Sequence, residues 1–251
     1  PARIVESGPA AGVVGSAVLA RRLGMPRAIT FDMGGTTAKA GVVEGGEVLR
    51  AEAMEVGAGV MAGARLLVGA GYMLKLPAID LAEVGAGGGS ICRIDAAGAP
   101  KVGPHSAGAD PGPVCYGRGG TEPTITDCYV ALGIVAPDRF LGGRMRLDAT
   151  AAVAALDSIA ERLGVAGADR AFVAAESALQ VASAKMATEL TKLMATAGVD
   201  PRRFGLVAFG GAGPTHANLL AEEAGLATVL VPSAPGTFCA LGAILADVRR
   251  D

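Results

Sequence analysis

Two rhythms of apolar residues divide the chain, and the change from one to the other falls near Thr124. Before it, apolar runs are short and punctuated by glycine, as in strands joined by turns. Ile29-Thr30-Phe31 is strand-like and feeds Asp32-Met33-Gly34-Gly35-Thr36-Thr37. Lys39–Glu44 reads as a second strand, Gly45-Gly46 as a turn, and Glu47–Arg50 as a third short run. Ahead of this hairpin, residues 8–23 gather small and apolar side chains and close on Arg21-Arg22-Leu23-Gly24. That is a helix with a basic last turn and a glycine stop. A further helix is expected over residues 60–72 and a strand over Ile79–Val84.

Beyond Thr124 the period lengthens to that of helices. A short one begins over Asp127–Leu132, and Asp148 is placed to cap another that runs to Leu163 and stops at Gly164. Residues 168–197 are the longest periodic segment, with Phe172, Leu179, Met186, Leu190 and Leu193 on one face and Gly198 and Pro201 ending it. Leu206–Phe209 is a buried-strand run, followed by a helix from Thr215 to about Ala224 with Pro214 at its first position. No repeat of solenoid period occurs.

The turns between these elements carry the candidate chemistry. Glycines let a backbone approach an anion and converge its N–H groups on phosphate oxygens. Asp32 cannot favourably touch phosphate itself; it can hold a hydrated Mg²⁺ that bridges phosphates, or orient an attacking group. Thr36 and Thr37 add hydroxyl donors, while the plain alternative is a Gly-Gly turn whose Asp bonds turn amides. The second glycine site, Gly210-Gly211-Ala212-Gly213-Pro214, joins a strand to a helix N-terminus, where a nucleotide can bind. It lacks the dinucleotide fingerprint, because His216 occupies the third glycine position, and no Gly-Lys pair makes a P-loop. Its alternative is a packing turn between strand and helix. Between the two sites, residues 85–123 form a long glycine-rich and proline-rich stretch that also holds Ile, Cys and Tyr, unlike a flexible linker. A β-meander with glycine bulges is the simpler reading of it.

Composition narrows the function class. The 251 residues are 51% hydrophobic, with a formal net charge of −2, so no basic field invites nucleic acid. No apolar run is long enough to span a membrane and no signal-peptide pattern is present, so a cytoplasmic setting is expected. Cys92, Cys115, Cys128 and Cys239 form no CxxC pair, and only two histidines exist, which argues against structural zinc. Free thiols are expected, with a nucleophilic Cys115–His105 pair as the alternative. The chain opens on Pro1 within an established segment and is expected to be a fragment of a longer protein.

Two glycine loops, one in a hairpin and one opening a helix, match the second lobe of an actin-like ATPase domain. The fold class expected is therefore α/β, an actin-like (ribonuclease H-like) lobe with glycine-rich hairpins and long packing helices, in one domain over residues 1–251. The motifs are more specific still. Ser7-Gly8-Pro9-Ala10-Ala11-Gly12, Phe31-Asp32-Met33-Gly34-Gly35-Thr36, Gly85-Ala86-Gly87-Gly88-Gly89-Ser90-Ile91, Ser106-Ala107-Gly108-Ala109-Asp110-Pro111-Gly112-Pro113, Gly119-Gly120-Thr121, Thr124-Ile125-Thr126-Asp127 and Phe209-Gly210-Gly211-Ala212-Gly213-Pro214 form one set. Together they resemble the hydantoinase A/5-oxoprolinase family, which includes subunits of ATP-dependent acetone and acetophenone carboxylases.

The resemblance implies ATP and Mg²⁺, and phosphorylation of a cyclic-amide carbonyl (hydantoin, N-methylhydantoin or 5-oxoproline) or of a ketone enolate. It implies a hydantoinase B-like second subunit or domain, and an N-terminal domain carrying a first phosphate loop that is not in this chain. A homo-oligomer is compatible with it. Carried over by position, Asp32 would hold the metal and act in catalysis, and Gly34, Gly35, Thr36 and Thr37 would meet the phosphates. Gly210, Gly211 and Gly213 would border the adenosine. Asp127 is a candidate for substrate or metal positioning or else a helix cap, and Asp110 or Arg118 for reaching the active-site cleft. His216 is expected in the first helical turn, not as a general base. One departure stands out: Gly35 is followed by Thr36-Thr37-Ala38-Lys39, where family members often carry Thr-Ser-Thr-Asp. Lys39 is expected either to contact phosphate or to pair with an acidic neighbour. An actin-like module that binds nucleotide without turnover is the non-enzymatic alternative.

Overall fold

The computed structural model describes residues 6–51, 54–56, 72–74 and 78–246. In chain order the elements are helix α1 (Ser7–Arg22) and strands β1 (Arg27–Met33), β2 (Ala38–Glu44), β3 (Glu47–Val48), β4 (Arg50–Ala51), β5 (Met54–Val56), β6 (Tyr72–Leu74), β7 (Ala78–Ile79), β8 (Leu81–Val84), β9 (Ser90–Ile94) and β10 (Pro100–Ser106). Helices α2 (Ile125–Ala131), α3 (Ala149–Arg162) and α4 (Arg170–Ala197) follow, then β11 (Gly205–Phe209), α5 (Gly213–Ala224), β12 (Val229–Leu230) and α6 (Phe238–Leu245). The helix expected over residues 60–72 falls mostly outside the described residues; at its end, Tyr72 opens β6. The strand expected over Ile79–Val84 is two strands, β7 and β8, interrupted at Asp80. No described helix is long and apolar enough to cross a membrane.

The chain forms two compact units, residues 1–33, 38–84 and 187–251 in one, residues 34–37 and 85–186 in the other. The first unit is built on a sheet of order β12-β11-β1-β2, whose far edge is shared by β8 and β3. β1 and β2 are antiparallel, while β11 and β12 run parallel to β1. This is the ribonuclease H-like arrangement of actin-like lobes, an antiparallel meander extended by parallel strands. Parallel pairing brings the carboxyl ends of β1 and β11 side by side, where α/β sheets bind ligands. All five residues of β11 are buried, which explains its unbroken apolar run.

Val13, Ala17 and Ala20 of α1 pack on Ala28, Val43, Val207, Phe209 and Phe238 in this unit's core. α1 and α6 approach closely because both are small at the crossing. A Cβ on Gly15 would lie 3.1 Å from the Gly242 Cα, and one on Gly242 would overlap the Ala11 carbonyl.

The second unit holds the β9–β10 hairpin, a 3₁₀ turn at Val114–Tyr116, α2, α3 and the first part of α4. The glycine-rich stretch is thus a hairpin, with a register shift between Val102 and Ser106, running into an ordered turn. Asp148 caps α3 as expected, its Oδ1 accepting the Ala151 N–H at 2.9 Å. In α4, Leu179, Met186, Leu190 and Leu193 are buried, but Phe172 is 37% exposed and leaves the expected stripe. Over residues 171–178 the buried positions are Ala171, Ala174, Ala175 and Ala178, so close packing there uses small side chains.

Candidate functional site

In the first unit, β1 delivers Asp32 to its carboxyl end, in register with Phe209 on β11. The chain leaves β11 through Gly210, whose φ of +86° favours glycine. A Cβ at Gly210 would stand 2.5 Å from both Asp32 Oδ1 and the Met33 carbonyl oxygen. No other residue type fits there. The Gly210 N–H donates to the Pro235 carbonyl at 3.0 Å and the Ala212 N–H to that of Met33 at 2.9 Å, stitching the turn to β1. Gly213 then opens α5, two residues earlier than expected, so Pro214 takes its second position and not its first, and Gly211 is exposed with open space around it.

Two groups bias the Asp32 carboxylate. The Cys239 thiol donates to Oδ2 at 3.3 Å. Lys39 lies directly across the β1–β2 pair. Burial raises the Asp32 carboxyl above the usual range, against the opposing pull of the thiol and of the Lys39 charge. Burial first, then the Asp32 charge and hydrogen bond, push the Cys239 thiol up to about 12. The ammonium of Lys39 bonds the Glu6 carboxylate and lies 3.9 Å from that of Glu83, its register partner on β8. Of the two expectations for Lys39, the acidic pairing is the one displayed.

In the second unit, residues 34–37 form a tight turn in which the Gly34 N–H donates to the Thr37 carbonyl at 3.0 Å. Residues 87–89 hold it from one side: the Gly88 N–H donates to Gly34 O at 3.0 Å and the Gly89 N–H to Gly35 O at 2.6 Å. A Cβ on Gly87 would come within 2.7 Å of the Gly35 carbonyl and the Thr36 nitrogen, so glycine is required for this approach. Thr126 secures the clamp, its N–H and hydroxyl both donating to Gly88 O at 2.8 Å. Gly35 and Thr36 are exposed, and among the described residues the N–H groups of Gly35, Thr36 and Thr37 donate to no protein acceptor. Three adjacent free donors on a fixed turn are suited to an anion.

Asp127 has the capping role and not an open one. It is fully buried in the first turn of α2, in a capping box with Thr124. Its Oδ1 accepts the Cys115 N–H at 2.7 Å, and Oδ2 accepts the Thr124 N–H at 2.7 Å, the Thr124 hydroxyl at 2.9 Å and the Val114 N–H at 3.2 Å. Four protein donors on a carboxylate without exposed surface tie it to the α2 cap and the Val114–Tyr116 turn. Asp110 is exposed, and Arg118 reaches the Ala109 carbonyl at 3.5 Å and lies over the Tyr116 ring. Cys115 is buried, its thiol pushed far up by burial and by Asp127, while His105 is exposed; the two do not make an activated nucleophile. His216 lies in the first turn of α5, fully buried and neutral, its pKa lowered to about 4 by burial.

From the sequence Cys239 is expected only as a free thiol, with no place in the site, and Glu6 enters no expectation. Cys239 is separated from Asp32 by 207 residues, and no spacing rule links them. Glu6 precedes α1 and offered only its charge opposite Lys39 as a signal.

A model of the hydantoinase/oxoprolinase family matches residues 1–251. An uncharacterized protein of Methanocaldococcus jannaschii is 45% identical over 251 residues, 100% of this chain and 36% of its own length. Caprolactamase subunit alpha of Pseudomonas jessenii is 39% identical over 248 residues, 98% of this chain and 33% of its own. The crystal structure of the ATP-dependent caprolactamase from that organism superposes with a TM-score of 0.78 at 37% identity, covering 96% of this chain and 32% of that one. A nucleotide-free acetone carboxylase structure superposes with a TM-score of 0.80 at 32% identity, covering 94% of this chain and 31% of that one. The chain spans about a third of the length of the curated relatives it matches.

Proposed function

Because this chain belongs to the hydantoinase/oxoprolinase family, we propose that it is part of an enzyme that uses ATP to phosphorylate and open a cyclic amide of the hydantoin, N-methylhydantoin or 5-oxoproline type. The observation that carries the reading is the turn at residues 34–37, which follows Asp32 in the chain and offers three N–H donors without protein acceptors. Gly35, Thr36 and Thr37 hold phosphate oxygens, and Gly210, Gly211 and Gly213 border the adenosine.

Asp32 fits a Mg²⁺ that is shared with phosphates. Such an ion keeps several waters and takes one or two carboxylates. Among the described residues no group of three or more His, Cys, Asp or Glu side chains could cage a metal ion, and a hydrated ion shared with phosphates needs no such cage. When bound, Mg²⁺-ATP supplies a transferable phosphoryl group, which makes the oxygen of an unstrained amide a leaving group. The chain's own contribution is positioning: fixed backbone donors on phosphate oxygens and one oriented carboxylate. The hydrolytic step is assigned to a hydantoinase B-like partner subunit or domain, as the subunit names of the relatives support. Asp110, exposed in its loop, is retained as a candidate for substrate contact.

A second reading, a subunit that phosphorylates a ketone enolate for carboxylation, is favoured by the superposition on acetone carboxylase. The test is calorimetry of Mg²⁺-ATP on the complete protein and its Asp32→Asn variant, followed by ATP turnover with a panel of lactams and with ketones plus bicarbonate. Binding weakened at least 10-fold by the substitution, with turnover stimulated by a lactam, is expected. Bicarbonate-dependent turnover with a ketone gives the second reading instead. Nucleotide binding with no substrate-stimulated turnover makes the protein a binding module, and no binding at all ends the ATP reading.

A further inference from the structure

Asp32 is held from two sides by residues far from it in sequence. On one side Gly210 leaves no room for a side chain beside Oδ1. On the other, Oδ2 accepts the Cys239 thiol at 3.3 Å. The thiol sits in a place built for it. A Cβ on Gly12 of α1 would lie 3.2 Å from the Cys239 sulfur and would collide with the Phe209 ring. Phe209 in turn packs against Phe238, the residue before Cys239, at 5.0 Å between ring centroids. α1, β11 and α6 thus fix a sulfur against one carboxylate oxygen. Lys39, the cation opposite Asp32, is engaged with Glu6 and Glu83, and among the described residues it is the Cys239 thiol that hydrogen-bonds the Asp32 carboxylate.

We propose that Cys239 is a positioning residue for Asp32: its S–H bond occupies Oδ2 and fixes the carboxylate so that Oδ1, beside Gly210, and the remaining lone pairs are left for a ligand. The inference rests on the proposed nucleotide role of Asp32 and adds a residue to it. A partner that orients a metal-holding carboxylate commonly contributes about 10-fold or more to affinity or activity. A serine keeps a donor at this place, and an alanine removes it while keeping the small volume that Gly12 and Phe209 demand.

The experiment uses the complete protein with its partner subunit, as wild type, Cys239→Ala, Cys239→Ser and Asp32→Asn. Two quantities are read: the Mg²⁺ concentration giving half-maximal ATP turnover, and the infrared S–H stretching band of the nucleotide-free protein. Cys239→Ala is expected to raise the Mg²⁺ requirement about 10-fold at unchanged melting temperature, and Cys239→Ser to restore it to within about 2-fold. In the absence of nucleotide, the band lost in Cys239→Ser is expected at the low frequency of a thiol bonded to an anion, and Asp32→Asn shifts it upward.

Equal Mg²⁺ requirements in Cys239→Ala and wild type, with Asp32→Asn inactive, overturn the role of Cys239 and leave the function standing. A band at the frequency of a free thiol overturns it independently of activity. Full turnover by Asp32→Asn removes the nucleotide reading itself, whatever Cys239 does.

Discussion

Asp32 and Asp127 look alike in the sequence, each a lone acid beside glycines or threonines, yet the fold treats them in opposite ways. Asp127 is fully buried and receives the N–H groups of Val114, Cys115 and Thr124 and the Thr124 hydroxyl. Asp32 is half-buried, receives a thiol from Cys239, and is held above its usual pKa mainly by burial. A carboxylate filled with protein donors organises the chain around it; one left short of donors retains capacity for a ligand. The distinction is testable, because the two acids should fail differently when replaced.

The largest loss of stability is expected at Asp127. Asp127→Ala strands buried donors of the Val114–Tyr116 turn and the α2 N-terminus, and should cost about 4 kcal/mol. Denaturant unfolding checks it, and a loss below about 1 kcal/mol would mean that the capping network is dispensable. Asp127→Asn should recover part, since an amide oxygen still accepts while its NH₂ faces donors.

His216 provides the next effect, as a buried group that must stay neutral. Its pKa is about 4 when folded, below the ordinary 6.5. The stabilising contribution is therefore complete above pH 6.5 and shrinks as pH falls toward 4, by roughly 3 kcal/mol in all. Unfolding curves between those pH values, compared with His216→Gln, should show a steeper decline for wild type; parallel curves would contradict it.

Gly87 comes third. Gly87→Ala places a methyl within 2.7 Å of the Gly35 carbonyl and the Thr36 nitrogen, so the turn must shift. The expected cost is about 1–3 kcal/mol, with Mg²⁺-ATP affinity reduced, while Gly45→Ala, which has open space but a φ of +61° and so also costs stability, leaves affinity intact. Equal affinities in the two variants would show that the clamp does not shape the nucleotide turn.

Much of the frame is legible in the sequence. The antiparallel hairpin through Gly45-Gly46, the Asp148 cap, the long helix ending before Gly198 and the strand entering Gly210 all rest on local signals, namely period, caps and glycine stops. The exceptions are tertiary. Phe172 has the helical spacing of a core residue, but near that end of α4 the packing is built from alanines. Residues 85–90 read as glycine-rich without a stated purpose; the close approach of Gly87 to Gly35 supplies it, and no pattern within either segment encodes it. The Cys239–Asp32 bond is invisible for the same reason, since it joins β1 to α6 across nearly the whole chain.

The smallest stability change is expected at Asp32, and it completes the contrast with Asp127. Folding raises the Asp32 pKa, so the folded protein binds this proton more tightly than the unfolded chain. The ionised carboxylate is thus a burden above the unfolded value near 4, a burden relieved as the pH is lowered. Asp32→Asn removes the charge while keeping the volume beside Gly210, and at pH 7 should leave the protein as stable as wild type or more so. The advantage should vanish at low pH, where the wild-type carboxyl is also neutral. Denaturant midpoints at pH 7 and pH 4 for both proteins read this directly. A variant that is stabler yet has lost Mg²⁺-ATP marks a residue kept for its ligand at a cost to the fold. A variant that unfolds as readily as Asp127→Ala would place Asp32 among the structural acids and erase the difference between the two.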